Sequence, residues 1–218
     1  MKRRKAVHAG IAVLAVGALA GALAAPGGAA TSKNLIRNPG AEAGAGSATG
    51  ATVPVPHWTS TNGTHFTAVV YGASGGFPAA SGPGLPTKHG KNFFAGGPVD
   101  GSISEVAVQT ISLKPYLTAI KTGTEPFTAS AWLGGFDGQS DDALVEIDWK
   151  HGTSLVGTSV ILGPVTESDR GGNTEFLQRS ATGTVPKTAN HAYVQLIMDP
   201  VSGGYNDGYA DNLSLTVG

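Results

Sequence analysis

The sequence predicts an all-β sandwich built as one domain. Three observations lead there. Glycine and proline, 33 and 13 of the 218 residues, interrupt the chain too often for long helices. Between the interruptions, short runs alternate apolar and polar side chains with the period of two that a strand covering a core on one side requires. Eight or nine such runs in one stretch of chain are too many for a single flat sheet, and they fit a two-sheet sandwich or jelly roll.

The chain opens with a leader. Lys2, Arg3, Arg4 and Lys5 precede an uncharged apolar run from Ala9 to about Ala25. That is the charged region followed by the apolar region of an export signal, with small residues allowing cleavage after Ala24 or Ala30. A retained membrane anchor is the competing reading, but the run is short and rich in Ala and Gly for a bilayer span. We therefore expect a signal peptide over 1–30, a secreted domain over 31–218, and no membrane span after cleavage.

The strands are expected at 65–71, 92–95, 102–113, 127–133, 143–150, 154–162, 174–184, 192–198 and 209–217. Over 104–113, Val106, Val108 and Thr110 alternate with Glu105, Ala107, Gln109 and Ile111, and Pro115 then stops the pairing. Only 115–121 reads as a helical turn. Two Gly- and Pro-rich loops, 41–56 and 72–90, separate the early strands. At the end of the chain, Gly203-Gly204 and Asn206-Asp207-Gly208 read as a turn. Leu213, Leu215 and Val217 then alternate with Asn212, Ser214 and Thr216 as the last strand.

Composition excludes several functions. There is no cysteine, so thiol catalysis, cysteine-ligated zinc and iron–sulfur clusters are ruled out. The domain must hold itself together with its core, which about 185 residues can build. All four basic residues of the leader lie outside the domain, leaving 10 basic and 15 acidic residues and a net charge of −5. That balance argues against nucleic acid, whose phosphates are met by Lys and Arg. The six histidines show no metal spacing, no G-x-S-x-G elbow occurs, and no Gly-rich stretch joins a strand to a helix as a phosphate cradle would.

Two motifs at the ends of the domain belong together. They are N-L-I-R-N-P-G-A-E at 34–42 and Y-A-D-N-L-S-L at 209–215. With V-A-V-Q-T-I-S-L, F-T-A-S-A-W-L and the hairpin A-T-G-T-V-P-K-T-A-N-H-A-Y-V-Q-L-I-M between them, the chain resembles secreted bacterial galactose-binding-like jelly rolls. The best-known members are the carbohydrate-binding modules attached to xylanases and glucanases. The resemblance covers nearly all of 34–217 and implies that the two ends are neighbours. It also implies a structural calcium ion held by the acid of the first turn and the Asp of the last strand, here Glu42 and Asp211, with backbone carbonyls. Calcium takes six to eight oxygen ligands, which suits turns rich in Gly and Asn. A solvated Glu42 and a turn-capping Asp211 are the alternative.

The function expected is non-catalytic binding of an extracellular or cell-wall glycan. Sugar rings stack on flat aromatic faces while polar side chains reach their hydroxyls. Trp58, Tyr205 and Asn206 are the candidate ligand-facing residues. Of the Phe93-Phe94 doublet, one ring must face away from the core; Trp132 reads as core, and Trp149 as either. A structural or adhesive surface protein is the alternative. A third reading, a small glycoside hydrolase, rests on Glu146 and Asp148, which share one strand face. That run resembles the E-I-D-x-x-E strand of jelly-roll laminarinases and agarases, but Lys150 and His151 stand where the second catalytic Glu would fall. The acidic loop 137–142 reads as a solvated hairpin turn.

Overall fold

The structure, a computed structural model, describes residues 32–98, 103–201 and 203–218. The leader lies outside the described residues, as do the first residue of the 102–113 strand and the Gly/Asp-bearing segment before it. Ser32–Gly218 forms one compact unit.

The strands are β1 (Thr59–Asn62), β2 (Thr67–Val70), β3 (Asn92–Pro98), β4 (Glu105–Ser112), β5 (Pro126–Gly135), β6 (Asp142–His151), β7 (Ser154–Leu155), β8 (Val160–Leu162), β9 (Glu175–Thr184), β10 (His191–Asp199) and β11 (Tyr205–Val217). They form two antiparallel sheets. One runs β1-β4-β10-β6-β7, with β8 also on β6, and the other runs β2-β3-β11-β5-β9. This is the predicted jelly-roll sandwich. The helical turn also falls where expected: a 3-10 turn over Lys114–Tyr116 leads into one short helix, α1 (Leu117–Ile120).

Alternation decides which side chains meet between the sheets. Ala143, Val145, Ile147 and Trp149 of β6 face Ala129, Ala131 and Leu133 of β5 and Leu213, Leu215 and Val217 of β11 in one continuous core. Trp149 is thereby core. On β4 the inward face is Glu105, Ala107, Gln109 and Ile111, so two polar side chains are buried. Each clamps a loop. The Glu105 carboxylate accepts from the backbone N–H groups of Thr64, His65 and Phe66 at 3.2, 3.0 and 3.0 Å. The Gln109 amide donates to the Arg37 carbonyl at 2.7 Å and accepts from the Arg37 N–H at 3.1 Å.

The Phe doublet resolves as expected, with one ring on each face of β3. Phe94 joins the main core. Phe93 joins a second apolar cluster on the outer face of the five-stranded sheet with Val69, Tyr71, Phe176 and Tyr209. Phe77 and Leu85 of the 72–90 loop pack over this cluster, so the loop is a lid on the sheet. Trp132 packs against this second cluster and not the main core.

Three details differ from the sequence reading. The exposed strand β1 has no apolar member in Thr59–Asn62, so periodicity could not show it. The 154–162 run is two short strands. The final strand starts at Tyr205, because Asn206-Asp207-Gly208 is a bulge in the β3–β11 pairing. The Asn206 amide donates to the Met198 carbonyl at 2.9 Å and accepts from the Gly208 N–H at 3.1 Å. Gly208 is required there: a Cβ would lie 2.2 Å from the Asp142 carbonyl oxygen.

The two ends of the domain are zipped together. The Leu35 N–H donates to the Leu215 carbonyl at 2.8 Å, and the Leu213 N–H to the Pro39 carbonyl at 2.9 Å. Asn34 completes the seam. Its amide donates to the Leu213 carbonyl at 2.9 Å and accepts from the Leu215 N–H at 3.0 Å. Replacing Asn34 by Ala leaves both backbone groups without that partner. We expect Asn34→Ala to cost about 1–3 kcal/mol, read as a lowered urea midpoint with an unchanged slope. An unchanged midpoint would show that the two Asn34 side-chain bonds carry no stability.

Candidate functional site

The seam brings Glu42 and Asp211 together. Asp211 sits on β11 immediately before a bulge at Asn212, whose φ is 49°. The bulge turns Asp211 toward the second cluster while Leu213 returns to the core. Asp211 is fully buried. Its Oδ2 accepts from the Tyr71 hydroxyl at 2.8 Å and its Oδ1 from the Asn212 N–H at 2.6 Å. Glu42 approaches from the first turn, with Oε1 accepting from the Asn92 N–H at 2.8 Å. The Asn92 amide holds that turn by donating to the Ala41 and Gly44 carbonyls. Gly40 is needed here, since a Cβ would come within 2.8 Å of Asp211 Oδ1.

The electrostatics of this pair are unbalanced. Burial pushes the Asp211 carboxyl up to about 7, against the two hydrogen bonds that favour its charge, and the Glu42 carboxylate adds to the rise. Burial and Asp211 together push the Tyr71 phenol well above its ordinary range. The ion pairs among the described residues are Lys150–Asp148 and Arg179–Asp169, so no Lys or Arg neutralises the pair. The donor set is all oxygen and fits a hard divalent cation in kind. In number it supplies two carboxylates: the described residues contain no group of three or more His, Asp or Glu placed to hold a metal. Backbone carbonyls and water would complete any coordination shell.

A second acidic cluster closes the same end of the sandwich as the bulge. Asp141, expected to be solvated, is buried and accepts from the Val201 and Asp207 N–H groups at 2.6 and 3.0 Å. Asp142 pairs directly with Asp199 across β6 and β10. Burial, then Asp199 and Asp141, push the Asp142 carboxyl up to about 6. Burial does the same to Asp207, against the hydrogen bond it accepts from the Tyr209 hydroxyl. The loop is fastened by buried Arg170, which donates to the carbonyls of Asp137, Gln139 and Asn173.

The expected ligand-facing residues are placed differently. Trp58 is 8% exposed, donates Nε1–H to the Asn38 carbonyl at 3.1 Å and packs edge-on to Phe94. That leaves no ring face for a sugar. Asn206 is 1% exposed, with both amide atoms engaged in the bulge. Tyr205 is half-buried, donates to the Gly50 carbonyl at 3.0 Å and packs edge-on to Phe77. These three do not converge on one surface groove.

The surface with a ring and convergent polar groups is the outer face of the six-stranded sheet. Tyr193 on β10 lies between Thr110 of β4 and Asp148 of β6, with His191 and Lys150 one row away and Gln195 and Glu146 in the next. The Lys150 ammonium stands 4.1 Å from the Tyr193 ring centre and 3.4 Å from Asp148. Asp148 also accepts from the Ser159 hydroxyl at 2.5 Å. A depression of about 380 Å³ opens here between Tyr193, His191, Lys150, Thr110 and Thr153. The alternation of β10 placed Tyr193 on the outer face; its neighbours from β4 and β6 emerge only from the register.

No family model matches the chain, and no curated protein matches it. Among solved structures it is similar to Family 16 Carbohydrate Binding Module-2, with 20% identity, a TM-score of 0.50 and coverage of 84% of this chain and 99% of that one. It is also similar to the enzymatically active domain of bacteriophage CBA120 tailspike protein 4, with 15% identity and a TM-score of 0.50 over 84% of this chain. The chain spans only 21% of that tailspike chain. At these identities the likeness is one of fold: a carbohydrate-binding-module-like jelly roll.

The raised carboxyls make stability depend on pH with an unusual sign. Asp142, Asp207 and Asp211 hold protons in the folded protein up to about 6, 6 and 7, whereas the unfolded chain releases them near the ordinary carboxylate value of about 3.9. Their contribution is fully present below the unfolded value and is lost as pH rises through 6–7. In chelator, we expect the midpoint of unfolding to fall between pH 5 and pH 8, and Asp211→Asn to flatten that fall. A midpoint that rises over this interval, unaltered by the substitution, would contradict the burial of these carboxylates.

Proposed function

We propose that this protein is a non-catalytic glycan-binding module that presents the outer face of its six-stranded sheet to an extracellular polysaccharide. The observation that carries the reading is Tyr193 in the middle of that face, ringed by Thr110, Asp148, Lys150, Gln195 and Glu146 on three paired strands. One aromatic ring with polar groups on rigid strands suits a pyranose, whose apolar face stacks while its hydroxyls are bonded from the side. The outer face of the opposite sheet is partly covered. Phe77 and Leu85 of the 72–90 loop cover one part of it, and the rest displays Thr128, Ser130, Gln178, Ser180 and Thr182 around a half-buried Trp132 that packs against the second cluster. The fold shared with a carbohydrate-binding module supports the same reading.

Hydrolysis is disfavoured by placement. Glu146 and Asp148 stand side by side on one strand and meet a ligand from the same side, whereas glycosidic cleavage sets its two carboxyls on either side of the scissile bond. The remaining parts of the reading are export, read from the leader, and calcium shared by Glu42 and Asp211. The buried Asp211 carboxyl, with the exposed Glu42 beside it and no Lys or Arg paired to either among the described residues, supports calcium. The ion would contribute charge neutralisation at the seam, far in role from the binding face. No helix among the described residues is long and apolar enough to cross a membrane.

Residues 31–218 should be depleted from solution by at least one insoluble polymer among xylan, cellulose, chitin and peptidoglycan. Tyr193→Ala should weaken that retention by about tenfold or more, roughly 1.4 kcal/mol, without moving the melting temperature. Failure of every polymer to retain the wild type would overturn the proposal.

Calcium is read separately. Added Ca²⁺ should raise the wild-type melting temperature, by about 2–4 °C for each kcal/mol of linked binding, and should leave Glu42→Gln unmoved. Equal responses of the two proteins would remove the ion from this position.

A further inference from the structure

A groove lies at the edge of the same sheet. Its volume is about 620 Å³, and its walls are the N-terminal segment with Lys33, Leu35 and Arg37 on one side and the end of β4 with Thr110 and Tyr116 on the other. The groove exists because β1 is short. β1 covers β4 only at Val106, Ala107 and Val108, so the β4 edge over Thr110, Ile111 and Ser112 carries no strand. The N-terminal segment passes alongside, pinned by the two hydrogen bonds between Gln109 and the Arg37 backbone.

The charge of this groove runs against the rest of the molecule. The domain is net negative, yet both charged side chains lining the groove, Lys33 and Arg37, are cations and both are exposed. Neither makes an ion pair among the described residues, whose pairs are Lys150–Asp148 and Arg179–Asp169. No acidic side chain lines the groove. The groove also joins the proposed binding face, because Thr110 lines both this groove and the Tyr193 depression. A polymer lying over Tyr193 and continuing past Thr110 runs along the wall that carries Lys33 and Arg37.

We propose that the edge groove is a second subsite for a polyhydroxylated polyanion, a glycan bearing carboxylate or phosphate groups along its chain. The inference rests on the sheet-face reading for the neutral part of the ligand and adds the class of its charged part. A guanidinium and an ammonium along one wall of a groove meet such anions with charge-assisted hydrogen bonds. Tyr116 and Leu35 supply apolar wall, and the volume is that of an ordinary ligand site. The net negative surface around it selects against anions that cannot reach the groove, so binding there is local and not a general attraction of the domain.

The test compares three soluble polymers by isothermal titration: polygalacturonate, glycerol-phosphate teichoic acid and neutral xylan. The proteins are wild type, Lys33→Gln/Arg37→Gln and Tyr193→Ala. The Arg37 clamp uses backbone atoms only, so the double variant keeps its fold, checked by an unchanged melt. Wild type should bind at least one of the two polyanions, and whichever it binds identifies carboxylate or phosphodiester as the source of charge. The double variant should lose that binding at least about tenfold, as expected for two charge-assisted contacts. About 1 M salt, which screens charges beyond ~3 Å, should do the same to wild type. Neutral xylan reads the sheet face alone: its binding depends on Tyr193 and not on the two cations. Binding of neither polyanion by wild type, or equal polyanion binding by wild type and the double variant, overturns the subsite while leaving the sheet-face reading to its own result.

Discussion

The structure turns on a buried carboxyl group. Asp211 is fully buried where the last strand meets the first turn, held by the Tyr71 hydroxyl and the Asn212 amide. Everything at the seam is arranged around that group. The bulge at Asn212 frees Leu213, Leu215 and Val217 to return to the core after Asp211 has turned the other way. Gly40 leaves room for the carboxylate, and Asn92 fixes the turn that carries Glu42 beside it. A buried carboxylate with a second one nearby and no Lys or Arg partner costs several kcal/mol unless it holds a proton or a cation.

That junction also determines which surface is free. The outer face of the five-stranded sheet is occupied by Tyr71, Phe93, Phe176 and Tyr209 under the 72–90 loop, the same cluster that shields Asp211. Over that cluster the sheet is closed to a ligand. The six-stranded sheet carries no such lid and shows half-buried side chains in register across β4, β10 and β6. The second apolar cluster lies on one sheet, and the recognition surface we propose lies on the other. A site built on paired strands in this way is held more rigidly than one built on loops.

Much of the fold was legible in the residues. The two end motifs, the alternation from residue 104 onward and the turn after Pro115 each appear where the pattern put them. The split of Phe93 and Phe94 between two faces followed from the strand period alone, whereas Trp149 could be read either way and proved to be core. What was hidden depends on long-range partners. Strand β1 has a polar sequence and pairs only because β4 needs an edge partner. Glu105 and Gln109 are buried because loops supply their hydrogen bonds, and a polar residue in an alternating run does not announce such a partner. Trp58, an aromatic after a loop, has the same local pattern whether its ring faces solvent or fills the gap beside Phe66 and Phe94. The Tyr193 surface was equally out of reach, because it is assembled from strands some forty to eighty residues apart and only the register brings them into one row.

The central claim is that ligand meets this protein on the outer face of the six-stranded sheet. Backbone amide shifts mapped by NMR during titration with xylohexaose and with an oligogalacturonate test it most directly. The account predicts that the perturbed amides cluster on β4, β10 and β6 around Thr110, Tyr193 and Lys150, extending to Arg37 with the charged oligomer. Shifts centred on Trp58, Tyr205 and the 72–90 loop, with the six-stranded sheet silent, would contradict it.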